Sequence, residues 1–355
     1  MQRDGRIDGW RGAAVLLVIV GHLIEFRFRA FTETDKLSVM IHDHSLTVTT
    51  ALKYALLKFI APLQNIGVDI FFIISGFLIT SLLLKEERAR GAISIPAFYV
   101  RRVCRILPAF YVFLFVMFVL WSAGRIHLPA TTFALSATFL FDLWPDWASW
   151  WVGHSWSLAV EEQFYLVWPL AFAVLGTRYR TMALATLLAG LVLFSEAHYL
   201  TLSFAHIATG ALVALSDRAK SWIESIATWP IIALAAGLVL IQPVFIDHLE
   251  IHATLEAITP LLLAIVFFGS IWGRGPFVAL ISMDWLRRVG LVSYSVYLWQ
   301  QLWTAKPELL AANTILYLPI LLIIPALLSY TCIERPMIKL GHRLSDSIAA
   351  RAPPL

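Results

Sequence analysis

Runs of about twenty apolar residues, each long enough to cross the hydrocarbon core of a bilayer, recur along this chain. Ten stand out, over residues 10–26, 66–84, 106–124, 157–175, 181–197, 199–215, 229–246, 256–272, 289–304 and 313–332. Of the 355 residues, 59% are hydrophobic and 14% charged, where soluble domains carry roughly a quarter charged residues. Backbone polar groups in hydrocarbon must be paired within the protein, and continuous runs of this length pair theirs as helices rather than as the short alternating strands of a barrel. The expected fold class is therefore all-α integral membrane, with about ten transmembrane helices. A single transmembrane domain over 1–343 and a short cytoplasmic tail over 344–355 account for the whole length. Arg3, Arg6 and Arg11 ahead of the first run mimic a secretory signal, but no small-residue cleavage site follows. His22 and Glu25 close that run, which is read as a retained span.

Charge sets the orientation. With a cytoplasmic N-terminus, 20 of the 27 basic residues fall in inner segments, as cytoplasmic loops of membrane proteins require. Both termini are then cytoplasmic, and the protein is expected in the inner (cytoplasmic) membrane as a multi-pass chain in contact with lipid. A net charge of +4 distributed in this way is no argument for a nucleic-acid partner. Cys104 and Cys332 fall near inner helix ends, where a disulfide is not expected, and no metal-spaced cysteine set exists. The "IHDHS" stretch over 41–45 reads as a solvated loop rather than a metal site.

Polar residues interrupt the apolar runs in a sided pattern. In "RIDGWRGAAVLLVIVGHLIEF" (6–26), Arg11 and His22 are eleven residues apart, which on an α-helix puts both on one face about 16 Å apart along the axis. Arg11 would sit at the cytoplasmic end and His22 toward the outer half. That spacing suits a long ligand whose phosphates stay inside while its reactive end reaches deep, the shape of coenzyme A. Arginine offers a permanent charge and a donor fork for phosphate, and histidine a base near neutrality. The plainer reading is a helix-end arginine and a packed polar histidine, although ionisable groups at such depth are functional candidates by default. "IGVDIFFIISGFLIT" (66–80) adds Asp69 near the outer end of the second span, with Ser75 deeper. "FYVRRVCRILP" (98–108) gathers Arg101, Arg102 and Arg105 at the inner start of the third. "HSWSLAVEEQFYLVWP" (154–169) places Glu161 and Glu162 one or two turns into the fourth from outside. Arginines thus collect at the inner end and carboxylates near His22. The tryptophan-rich outer stretch "FDLWPDWASWWVGHSW" (141–156) fits an interfacial aromatic belt, and equally a floor for stacking sugar rings through Trp151 and Trp156, with His154 between them.

Taken with "VGLVSYSVYLWQ" (289–300) and "IERPMIKL" (333–340), these motifs resemble the acyltransferase-3 family of membrane-bound acyltransferases, in family order over residues 8 to 340. The resemblance implies ten helices and transfer of an acyl group, usually acetyl, from cytoplasmic acyl-CoA to a hydroxyl of an extracytoplasmic polysaccharide or lipid-linked sugar. It makes Arg11 and His22 the essential pair and the arginines of "RRVCR" donor-phosphate contacts. Glu162 becomes an acidic site residue with Glu161 its rival, since the register leaves open which faces inward. Many members carry histidine after "YLW"; here the residue is Gln300, which cannot accept a proton and is left as an acceptor contact. The extra hydrolase-like domain of longer members is not in this sequence, so direct hand-over of the acyl group is expected.

In the expected reaction Arg11, Arg102 and Arg105 hold the donor phosphates and His22 deprotonates the acceptor hydroxyl. Glu162 or Asp69 steadies the imidazole. Direct attack and a covalent acyl-His route both remain open. Ser75 and Tyr294 are candidates for the thioester oxygen, and acetyl-CoA is a substrate rather than a resident cofactor. The alternative class is a transporter or flippase for a lipid-linked saccharide, since midplane polar groups and Gly-interrupted spans suit that too. It would release no CoA thiol.

Overall fold

The computed structural model describes residues 5–28, 55–143, 149–194, 199–245, 249–304 and 318–351, and among them there is no strand. The helices are α1 (Gly5–Phe28), α2 (Leu63–Arg90), α3 (Ile95–Ser122), α4 (Ala130–Ala137), α5 (Ser155–Val174), α6 (Thr177–Leu193), α7 (Tyr199–Leu215) and α8 (Asp217–Ile226). They continue with α9 (Trp229–Ile241), α10 (Leu249–Trp272), α11 (Pro276–Ile281), α12 (Asp284–Leu291), α13 (Ser293–Trp303) and α14 (Leu318–Leu328). A π-helical segment (Ser329–Glu334) then leads into α15 (Arg335–Arg351).

Four helical stretches are long and apolar enough to cross a membrane by themselves: Gly5–Glu25, Ala55–Arg90, Ile95–Ser122 and Glu250–Trp272. A fifth is reached if Leu200–Leu215 and Asp217–Ile226 form one broken span. The remaining apolar runs also hold helices, but shorter or less apolar ones, such as the 13 residues of α9 and the 11 of α13. Among the described residues the chain is thus all-helical, with the several apolar helices of a multi-pass membrane protein.

Its residues cluster into two compact units. Of the described residues, unit one comprises those within 5–71, 222–291 and 304, and unit two those within 72–221, 292–303 and 318–351. Lipid tails are as apolar as leucine, so helices in a membrane associate through close packing and hydrogen bonds rather than through the hydrophobic effect. Unit one follows this rule around α1. A Cβ added to Gly290 of α12 would lie 1.7 Å from the Asp8 carbonyl oxygen, and one on Gly12 would lie 2.1 Å from that of Leu286. Backbones this close exclude any side chain. Trp10 Nε1 donates to Ser270 Oγ at 2.7 Å in a buried contact with α10, and Gln64 Nε2 donates to Glu25 Oε2 at 2.5 Å.

Unit two repeats the device between α2 and α7, where Gly76 abuts the Ile207 carbonyl and Gly210 that of Ile73. Trp168 Nε1 of α5 donates to Thr80 Oγ1 of α2 at 3.0 Å. Two neighbouring carboxylates at the end of α2 secure different partners. Glu86 accepts from the Ser94 backbone N–H at 3.0 Å and pairs with Arg101 at 2.9 Å, which closes the turn into α3. Glu87 takes a two-pronged bond from Arg180 of α6, whose guanidinium also lies 3.6 Å from the Phe172 ring centre.

Gly290→Leu is expected to force α12 off α1 and lower the midpoint of thermal unfolding in detergent. Overpacking of this kind costs about 1–3 kcal/mol. Gly190→Ala on α6, where a Cβ meets nothing within 4 Å, should leave that midpoint unchanged or higher.

Candidate active site

Unit one carries Arg11, His22 and Asp69, the first two on α1 and the third on α2. All three are half-buried, and each is engaged by at least one neighbour. The packing of Gly12 against α12, and of Gly21 against the backbone at Ala61 and Gln64, fixes how α1 is turned about its axis. One turn beyond His22, the Glu25–Gln64 bond ties the same helix to the start of α2.

Unit two gathers Ser75, Arg101, Arg102, Arg105, Glu161, Glu162 and Tyr294. Ser75 Oγ donates to Glu161 Oε1 at 2.8 Å and meets the Tyr165 hydroxyl at 2.8 Å, and Tyr165 donates to Glu161 Oε2 at 3.1 Å. Both oxygens of Glu161 are therefore occupied within the unit. Glu162 differs: its Oε1 is buried and has no hydrogen-bond partner among the described residues. The Arg102 guanidinium carbon stands 5.6 Å from the Phe98 ring centre and 5.5 Å from that of Tyr165, and Glu162 and Arg105 are among the charged groups that act on it. Arg101 faces Glu86 instead.

Tyr294 donates to the Ile106 carbonyl at 2.9 Å, and Glu162, Glu334, Arg105 and Glu161 act on its hydroxyl electrostatically. Glu334 closes the π-helical segment, is 2% exposed, and accepts from Ser295 Oγ at 2.8 Å. π-Turns inside helices recur at functional sites. Sequence reasoning singled out neither Tyr165 nor Glu334. Tyr165 follows Glu161 by four residues, a same-face spacing that was available as a signal. For Glu334 the only signal was its place in "IERP".

A second polar group surrounds His154, just ahead of α5. Its Nδ1 contacts Gln301 Oε1, while the Gln301 carbonyl accepts from Trp150 Nε1 at 3.1 Å and the His154 carbonyl accepts from Ser157 Oγ at 3.0 Å. The ring meets Phe113 and Tyr297 edge-on at 5.1 and 5.5 Å. Its Nε2 is buried without a partner among the described residues. Trp151 and Gln300 are buried close by in the chain, and Trp156 packs edge-on against Phe72 at 5.9 Å. Trp144 and Trp147, like "IHDHS", lie outside the described residues.

A family model described as an acyltransferase domain matches residues 4–334. The chain belongs to this acyltransferase family. Within it, the chain is similar to a Bacillus subtilis protein, YrhL, provisionally named a peptidoglycan O-acetyltransferase, at 37% identity over 147 residues. That stretch is 35% of this chain and 22% of the relative. It is also 35% identical over 123 residues to the peptidoglycan O-acetyltransferase OatA of Listeria monocytogenes, covering 29% of this chain and 19% of OatA. A Staphylococcus aureus protein provisionally named an O-acetyltransferase, SACOL0978, shares 38% over 129 residues, 31% of this chain and 20% of the relative. The matched stretch thus spans about a fifth of each relative's length. No solved structure matches the chain.

Burial pushes the His154 imidazole down to about 4 from its ordinary 6.5, so the folded acyltransferase holds this ring neutral. The unfolded chain takes up a proton below pH 6.5 that the folded one refuses until about pH 4. His154 therefore contributes stability above pH 6.5 that is lost as pH falls towards 4. His154→Gln is expected to flatten the fall in melting temperature across that window, measured by thermal unfolding at a series of pH values.

Proposed function

We infer that this chain is a membrane O-acyltransferase that moves an acyl group, acetyl in the simplest case, from acyl-CoA at the cytoplasmic side to a hydroxyl of an extracytoplasmic glycan or lipid-linked sugar. The reading takes the chain through the cytoplasmic membrane ten times with both termini inside, the disposition that leaves 20 of 27 basic residues on the inner side. The family match over residues 4–334 and the O-acetyltransferase names of its relatives support it. The observation that carries it is Glu162: a carboxylate oxygen buried in unit two with no hydrogen-bond partner among the described residues, on a residue that acts electrostatically on Arg102. Leaving such an oxygen unpaired costs about 1–3 kcal/mol or more, a cost that a substrate group would offset when bound.

In this reading Arg11, Arg102 and Arg105 bind the donor phosphates through charge-assisted hydrogen bonds. His22 takes the proton of the acceptor hydroxyl as its oxygen attacks the thioester carbonyl carbon. A carbon–oxygen bond forms, the carbon–sulfur bond breaks, and the CoA thiolate leaves with the proton returned from His22. If His22 carries the acyl group itself, the products are the same. Asp69, in the same unit as His22, is assigned to orient the imidazole, and Glu162 serves as the acidic group of unit two. Trp151, Trp156, His154, Tyr294 and Gln300 are assigned to the acceptor side, and Ser75 to the donor side through its bond to Glu161. Arg101 then helps place the neighbouring arginines through its pair with Glu86.

Purified protein in lipid should release CoA thiol from acetyl-CoA when peptidoglycan fragments are present. His22→Ala should lower that release at least about a hundredfold, within the range that general-base groups contribute, and Arg11→Ala about tenfold or more, through the charge-assisted phosphate contact it removes. Absence of thiol release in the wild type, together with movement of a lipid-linked saccharide, would favour the transporter reading.

A further inference from the structure

Three candidate site residues of unit two converge on Tyr165, a side chain that is 5% exposed. Its hydroxyl reaches Ser75 Oγ at 2.8 Å and Glu161 Oε2 at 3.1 Å, and Ser75 in turn donates to Glu161 Oε1 at 2.8 Å. Two hydroxyl protons, one from Ser75 and one from Tyr165, thus serve the two oxygens of a single carboxylate. The neighbouring Glu162 receives nothing from this network, and its Oε1 is left buried and unpartnered among the described residues. On its other side the Tyr165 ring faces the Arg102 guanidinium at 5.5 Å, with Phe98 at 5.6 Å. Ring faces attract a guanidinium through their quadrupole and use none of its five N–H donors. Arg102 is therefore held in place with its donor fork available to an anion.

We propose that Tyr165 is a positioning residue with two separable tasks: its ring, with Phe98, aims Arg102 at a phosphate of the acyl-CoA donor, and its hydroxyl, with Ser75, occupies Glu161 so that Glu162 alone acts on the reacting groups. The proposal rests on the acyl-CoA reading above. The two tasks belong to different atoms of one side chain, so substitutions divide them. Tyr165→Phe keeps the ring and removes the hydroxyl. Tyr165→Leu removes both.

The test uses the full chain in lipid nanodiscs, with CoA binding followed by calorimetry and thiol release from acetyl-CoA followed with peptidoglycan fragments as acceptor. Tyr165→Phe should bind CoA within about twofold of the wild type and lose about tenfold in kcat, the effect of one hydrogen bond to a charged group. Tyr165→Leu should show the same loss in kcat and also bind CoA about five- to tenfold more weakly. If Tyr165→Leu does not fold, Phe98→Leu replaces it, with weakened CoA binding and an unaltered kcat expected. A purely structural tyrosine would not separate affinity from turnover in this way. Wild-type kcat in Tyr165→Phe overturns the hydroxyl task, and wild-type affinity in Tyr165→Leu, or in Phe98→Leu, overturns the ring task. A wild type that binds no CoA overturns the donor reading and this inference together. A wild type that binds CoA while the variants match it overturns this inference alone.

Discussion

Backbone-to-backbone contact at glycines is the constraint on which the arrangement of functional groups depends. In a membrane, one helix gains little by burying leucines against another, so close approach and hydrogen bonds decide how helices pack. In unit one, Gly12 and Gly290 bring α1 and α12 together so tightly that neither position has room for a Cβ. Trp10 adds a buried hydrogen bond to α10. A helix pinned at two backbone contacts cannot rotate, and Arg11 and His22 are thereby committed to one face. Unit two uses the paired contacts of Gly76 and Gly210 in the same way, which fixes the stretch of α2 that carries Ser75.

On that frame, unit two gives two adjacent carboxylates different surroundings. Neighbours on a helix point about 100° apart, so Glu161 and Glu162 meet different surroundings although their sequence positions are nearly equivalent. Ser75 and Tyr165 supply the donors for Glu161. Glu162 acts electrostatically on Arg102 and keeps one oxygen unpartnered among the described residues. The ion pairs at the end of α2 divide in a comparable way. Glu86 engages Arg101 and Glu87 engages Arg180, while Arg102 is held by aromatic faces.

Much of the fold was legible in the sequence because hydropathy and helical period are local properties. Each apolar run contains a helix among the described residues, and the family that the motifs resemble is the one whose model matches residues 4–334. Helix ends were less legible. The run expected over 289–304 starts its helix at Ser293, after α12 has ended at Leu291, and the run to 332 passes into a π-turn. Hydropathy does not report such breaks, since they depend on backbone hydrogen bonding. Nor could the register of Glu161 against Glu162 be read, because it depends on which neighbouring helix presents a hydroxyl. The pairing of Arg101 with Glu86 was hidden for the same reason: the two residues are fifteen apart and meet only because Ser94 turns the chain between them. Glu334 stood in a quoted motif without a role, and only its burial and its bond to Ser295 draw attention to it.

The central claim is that one chain joins a donor from one side of the membrane to an acceptor on the other. Sealed proteoliposomes with the protein in a single orientation test it most directly, with peptidoglycan fragments enclosed in the lumen and acetyl-labelled acetyl-CoA added outside. The account predicts label on the enclosed glycan when the cytoplasmic face points outward, with none in vesicles lacking protein or bearing His22→Ala. Label that appears only when donor and acceptor share a compartment would contradict it.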